Sequence, residues 1–210
     1  METWEREECA YCGGLSDLTR DHVPPQGLFS KPRPANLITV PACLSCNREY
    51  SKHDEYFRLV MTLGIDRAKF PKENAASVEA INNLGRPQSI GFALSLLERN
   101  DPETRGQRVD KDRIGIVLHR IIRGIFYHHT RIRLPKSASF NFTLVSESTE
   151  RMPVLRSAIE LLAINLTTIG DGIFRYAFVQ ASLADGFDTV WLLKFYDHRA
   201  FLCQTSTNRD

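Results

Sequence analysis

The sequence predicts an α+β protein with three regions: a small cysteine-rich head, a helical middle and a β-containing end. Three observations predict it. Two Cys-x-x-Cys pairs, Cys9/Cys12 and Cys43/Cys46, lie near the start. Ile114, Val117, Leu118, Ile121, Ile122, Ile125 and Phe126 then follow the i, i+3, i+4, i+7 spacing of a buried helical face. After residue 138 come four segments rich in Phe, Val, Leu and Tyr, at 139–146, 173–182, 189–196 and 199–205.

Each element has a local signal. The strong helix is expected over 111–128, with Asp110 as its cap. Shorter helices are expected near 75–84, 88–99 and 153–166, with a polar loop over 100–109. Asp185-Gly186 and Asp197-His198 are turn candidates between strands. We expect residues 1–62 to form one module and 63–210 a second α+β domain.

The chain has 210 residues, 42% of them hydrophobic and 25% charged, which is ordinary for a folded domain. No apolar run reaches the roughly 18–20 residues of a membrane span. Met1 to Glu8 is acidic and lacks the apolar core of a signal peptide. These features predict a cytoplasmic protein with no membrane partner, whose cysteines hold metal or stay free. Charge is uneven. Residues 1–60 carry 7 Lys/Arg against 9 Asp/Glu, and residues 61–151 carry 15 against 10. Any basic footprint for nucleic acid thus lies outside the head.

Two-residue spacing lets both thiolates of a Cys pair face one ion, and two pairs complete a tetrahedron. Gly13-Gly14 supplies the turn after the first pair. We expect a structural Zn²⁺ on Cys9, Cys12, Cys43 and Cys46, the alternatives being two redox pairs or four buried thiols. Cys203 reads as core. The insert between the pairs runs from Gly13 to Ala42, longer than the roughly 15–20 residues of a bare zinc ribbon. Leu18–Val23 reads as a strand, Asn36–Val40 as the returning strand, and a helix opens at Cys46-Asn47 and runs to Arg58 or beyond.

With Asp21-His22 on the first strand, Asn36 opening the second and Asn47 after the last cysteine, the head resembles the HNH (ββα-metal) endonucleases, in a four-cysteine HNN form. The resemblance covers Cys9 to Arg58. It implies a metal-dependent endonuclease acting on nucleic acid, DNA before RNA. It implies His22 as general base, Asn36 bracing the backbone near it, and Asp21 and Asn47 holding Mg²⁺ or Mn²⁺. A neutral imidazole suits proton abstraction from water, and a hard oxygen pair suits such an ion. Read alone, Asp21-His22 before Pro24 is a turn, Asn47 a helix cap and Asn36 a turn residue; their joint placement favours chemistry. The other reading is a zinc-stabilised binding module without catalysis; a toxin or antiphage effector would use the same nuclease chemistry.

Softer candidates surround these. Asp54 shares a helix face with Asn47 about 10 Å further along, and reads first as a salt-bridge partner. His53 reads as solvated. Arg20, Arg48, Lys52 and Arg58 are candidate phosphate contacts. Arg113, Arg120, Arg123 and Arg131 read as a solvated ridge of the long helix, with backbone binding as the second reading. A homodimer through the C-terminal domain is the remaining partner expectation.

Overall fold

The computed structural model describes residues 7–62, 65–83, 109–135, 137–146, 151–180 and 188–206. The expected helix at 88–99, most of the 100–109 loop and the Asp185-Gly186 turn lie outside these residues.

Strands β1 (Leu18–Val23) and β2 (Ile38–Cys43) form an antiparallel hairpin, with Leu18 opposite Cys43 and Val23 opposite Ile38. Helix α1 (Leu44–Thr62) follows without a linker. β2 starts two residues later than expected and runs on through Pro41. Pro41 has no N–H to give, but its carbonyl accepts the Ala10 N–H at 2.8 Å, which ties the first Cys pair to the hairpin.

Helix α2 (Pro71–Asn83) opens on a proline, whose fixed φ suits a first turn. Helix α3 (Lys111–Thr130) begins as expected: the Asp110 carboxylate accepts the N–H groups of Asp112 and Arg113 at 3.1 and 3.2 Å. It ends at Arg131, whose left-handed φ of 59° lets its N–H reach Tyr127 O. Helix α4 spans Pro153–Ala163.

The end of the chain forms a five-stranded antiparallel sheet in the order β3-β7-β6-β5-β4. Its strands are β3 (Ser139–Leu144), β4 (Thr167–Ile169), β5 (Phe174–Gln180), β6 (Thr189–Phe195) and β7 (Arg199–Ser206). The Tyr196-Asp197 turn joins β6 to β7 with both φ values positive, at 50° and 62°. The short β4 is not among the strands expected from the sequence.

Strand alternation sends Phe174, Tyr176, Trp191, Leu193, Phe195, Phe201 and Cys203 to one face of the sheet. Ala177, Leu192 and Leu202 face the other way and meet Leu162 of α4. The first face covers α3, and the hairpin and α1 cover α3 from the opposite side. Phe57 of α1 meets Phe195 of β6 edge-on at 5.2 Å between ring centroids. One hydrophobic core therefore runs from Cys9 to Cys203. The division expected at residue 62 does not separate the head's core from the sheet's, because α3 fills the space between them. No helix of the described residues is long and apolar enough to cross a membrane.

Gly124 marks the closest approach of α3 to the head. A Cβ there would lie 2.6 Å from Val23 Cγ2 and 3.1 Å from Tyr11 Oη. Helix propensity alone makes Gly→Ala favourable by about 1 kcal/mol. Here the clash dominates, and Gly124→Ala should destabilise by about 1–3 kcal/mol. A urea unfolding midpoint reads the sign directly.

Candidate functional site

The four cysteines come together from three elements. Cys9 and Cys12 sit in a tight turn in which Gly14 O accepts the Cys9 N–H at 2.8 Å and Cys9 O accepts the Gly13 N–H at 2.9 Å. Gly13 holds φ at 78°, a value glycine adopts without strain. Cys43 ends β2, and Cys46 lies in the first turn of α1. The four sulfurs lie within 4.8 Å of one another, and Cys12 Sγ is 3.7 Å from Cys43 Sγ. Metal–sulfur bonds of about 2.3 Å give a tetrahedron with edges of about 3.8 Å, so the cluster fits a metal ion such as zinc.

The thiols show what such an ion would relieve. Burial raises the Cys9 thiol, but the backbone N–H groups of Cys43, Cys12 and Tyr11 outweigh it and bring it to about 7. Cys46 is pushed up by burial and by the sulfurs beside it. Four thiolates this close cannot all ionise without a cation among them. Cys203 stays apart, buried in β7 as expected.

Asp21 and His22 are neighbours on β1, so they face opposite sides. Asp21 points inward and is 4% exposed. Its Oδ2 accepts Tyr11 Oη at 2.5 Å and Arg120 Nε at 3.0 Å, while Nη2 of Arg120 donates to Oδ1. The same Nη2 reaches Asn47 Oδ1 at 3.4 Å. Nη1 donates to both oxygens of Asp54, at 3.2 and 3.0 Å. Asn47 in turn donates to Thr19 Oγ1 at 3.0 Å, and Thr19 donates to Ala42 O at 2.9 Å. Asp54 is thus the salt-bridge partner its helix face suggested.

One guanidinium therefore sits among Asp21, Asn47 and Asp54. Burial alone would lower its proton affinity, but the carboxylates of Asp21 and Asp54 outweigh burial and raise it. Burial also raises the Tyr11 phenol, and the Asp21 charge adds to it, so Tyr11 stays a neutral donor.

The oxygens of Asp21 and Asn47 do converge on one positive group, but that group is Arg120. A divalent ion in the same place would meet a positive charge at hydrogen-bond distance. The Mg²⁺ or Mn²⁺ expected on Asp21 and Asn47 does not fit this arrangement.

His22 is half-buried on the outer side of the hairpin, opposite Thr39. Burial lowers its pKa, Asp21 opposes this, and Arg33 and Arg20 lower it further. The ring is therefore neutral near pH 7, as a proton acceptor must be. Arg20 and Arg48 are exposed on the head, and Arg33 and Arg58 are half-buried.

Asn36 has a different place from the one expected. Its amide donates to Thr168 O at 3.0 Å and its Oδ1 accepts the Gly170 N–H at 3.4 Å. It fastens the head's loop to β4 instead of bracing the backbone beside His22. The expected arginine ridge is also corrected. Arg120 and Arg123 are buried, and Arg123 donates to Tyr11 O. Arg113 lies over the Tyr56 ring at 4.3 Å. Arg131 alone of the four is well exposed, near Glu7 at 3.9 Å. His53 is half-buried on α1 and the side chain of Lys52 lies outside the described residues.

Sequence reasoning missed Tyr11 and placed Arg120 on a solvated ridge. Their contacts with Asp21 span 10 and 99 residues of sequence. The one local signal was Gly124, a close-approach residue one turn beyond Arg120 in the same helix.

The cysteine cluster makes a direct prediction. Purified protein should carry about one tightly held metal ion per chain, and Cys43→Ser should lose it and melt at lower temperature. Elemental analysis with a thermal melt checks both, and unchanged metal content in Cys43→Ser would remove the cluster as the site. No family model, curated protein or solved structure matches the chain, so function rests on this geometry.

Proposed function

We propose that the protein hydrolyses phosphodiester bonds in nucleic acid, DNA in the first instance, with His22 as general base and Zn²⁺ as the structural ion of the four cysteines. The observation supporting this is the placement of neutral His22 on the outer face of a cysteine-pinned strand–strand–helix unit. On its inner face the same unit gathers Asp21 and Asn47 on one cation.

The chemistry follows from that placement. Water gives a proton to a free ring nitrogen of His22 as its oxygen bonds to phosphorus. The bond from phosphorus to the sugar oxygen breaks on the opposite side, and the leaving oxygen takes a proton from solvent. Arg20 and Arg33, whose charges help lower the His22 pKa, would offset phosphate charge beside it. Asp21 is a positioning residue: it fixes β1 against α3 and so sets the outward aim of its neighbour. A Mg²⁺ or Mn²⁺ ion would reach Asp21 and Asn47 only after Arg120 leaves, and proton transfer to His22 does not depend on it.

A second reading is favoured by that same guanidinium. A filled cation site suits a zinc-stabilised binding module without catalysis. The two readings diverge at His22. In buffers containing Mg²⁺ or Mn²⁺, the protein should nick supercoiled plasmid, and His22→Ala should be slower by about a hundredfold or more. Equal zinc content and equal melting temperature keep the comparison clean. Wild type and variant equally inert on plasmid, single-stranded DNA and RNA would leave the binding module.

A further inference from the structure

We infer that Arg120 is an internal competitor for divalent cations: it occupies a site formed by Asp21, Asn47 and Asp54 and holds it closed in the wild-type chain. This rests on the reading of Asp21 and Asn47 as cation ligands. It extends that reading to the control of the site.

The donors come from two elements. Asp21 lies on β1, and Asn47 and Asp54 lie on one face of α1, while the occupant reaches in from α3. All three guanidinium nitrogens are engaged: Nε and Nη2 on Asp21, Nη2 also near Asn47, and Nη1 on Asp54. Two carboxylates against one guanidinium leave the cluster one negative charge in surplus. A divalent ion would match the two carboxylates better. It is kept out because the guanidinium is tethered to the fold, and its departure would leave Asp21 buried without a counterion.

The occupant is also well enclosed. Arg120 is 3% exposed, and its guanidinium lies 4.9 Å from the Tyr50 ring and 5.9 Å from the Tyr11 ring. Its withdrawn state is therefore a minor one. A site open about 1% of the time binds about a hundredfold more weakly than the same site held open. The structure thus assigns two roles to one arginine. It is the counterion that lets Asp21 be buried, and it is the group a metal must displace.

The test is Mn²⁺ binding to the zinc-loaded full chain, followed by the electron paramagnetic resonance of free Mn²⁺ and by thermal melting. Arg120→Met should bind Mn²⁺ at least about a hundredfold more tightly than wild type and should melt higher when Mn²⁺ is added. Asp21→Asn in the Arg120→Met background should abolish the gain. Arg120→Gln, which keeps a hydrogen-bond donor, is the second variant if Arg120→Met does not fold. Wild type that binds Mn²⁺ as tightly as the variant, in an Asp21-dependent way, would overturn the inference. So would two variants that take up no Mn²⁺, or that stay unfolded in its presence. Plasmid nicking is read in the same samples. Gained Mn²⁺ leaves the competitor standing whether or not nicking rises, and the nuclease reading is decided by wild type against His22→Ala.

Discussion

The arrangement turns on a buried guanidinium. Helix α3 is covered on one side by the hairpin and α1 and on the other by the sheet, so Arg120 and Arg123 in its middle are cut off from water. A buried charge is tolerated only with opposite charge and hydrogen bonds around it. The head supplies both: Asp21, Asp54 and Asn47 for Arg120, and the Tyr11 carbonyl for Arg123. Gly124, a turn further along α3, lets the backbones approach closely enough for these bonds to form. Head and sheet are therefore joined by polar bonds as well as by a shared core.

The cysteine cluster acts on the same point from the other direction. Tyr11 lies between Cys9 and Cys12, so the turn that aims the two sulfurs also aims Tyr11 Oη at Asp21. The Ala10 N–H on Pro41 O fixes that turn to β2, and Cys43 and Cys46 fix β2 to α1. Asp21 is thus held by a knuckle, a strand and a distant helix together. Strand alternation leaves His22 on the opposite side, half-buried on the outer face of the hairpin. One register sets both the buried Asp21–Arg120 contact and the outward placement of neutral His22, because the two residues are adjacent.

Much of this was legible in the sequence because its signals are local. The heptad-like apolar spacing from Ile114 to Phe126 marked α3, and the Asp110 cap marked its start. Alternating aromatic and aliphatic segments marked four of the five sheet strands, and two Cys-x-x-Cys pairs marked the cluster. The arginines of α3 were misread for a physical reason. An amphipathic reading assigns charged positions to water, whereas α3 is packed on both sides and its charges are paired across about a hundred residues of chain. The same limit applies to Asn36, whose partners Thr168 and Gly170 lie in the short β4 hairpin, and to the boundary at residue 62. Three-residue strands and long-range hydrogen bonds leave no periodic trace.

The Asp21–Arg120 pair holds the head, and with it the site, against the rest of the chain. A double-mutant cycle in urea unfolding with Asp21→Asn and Arg120→Gln tests this most directly. The account predicts that each single change is costly and that the double change costs less than their sum, with a coupling of about 1–3 kcal/mol. Additive costs would contradict it, because they would mean that the two residues are stabilised independently and that the pair does not join α3 to the hairpin.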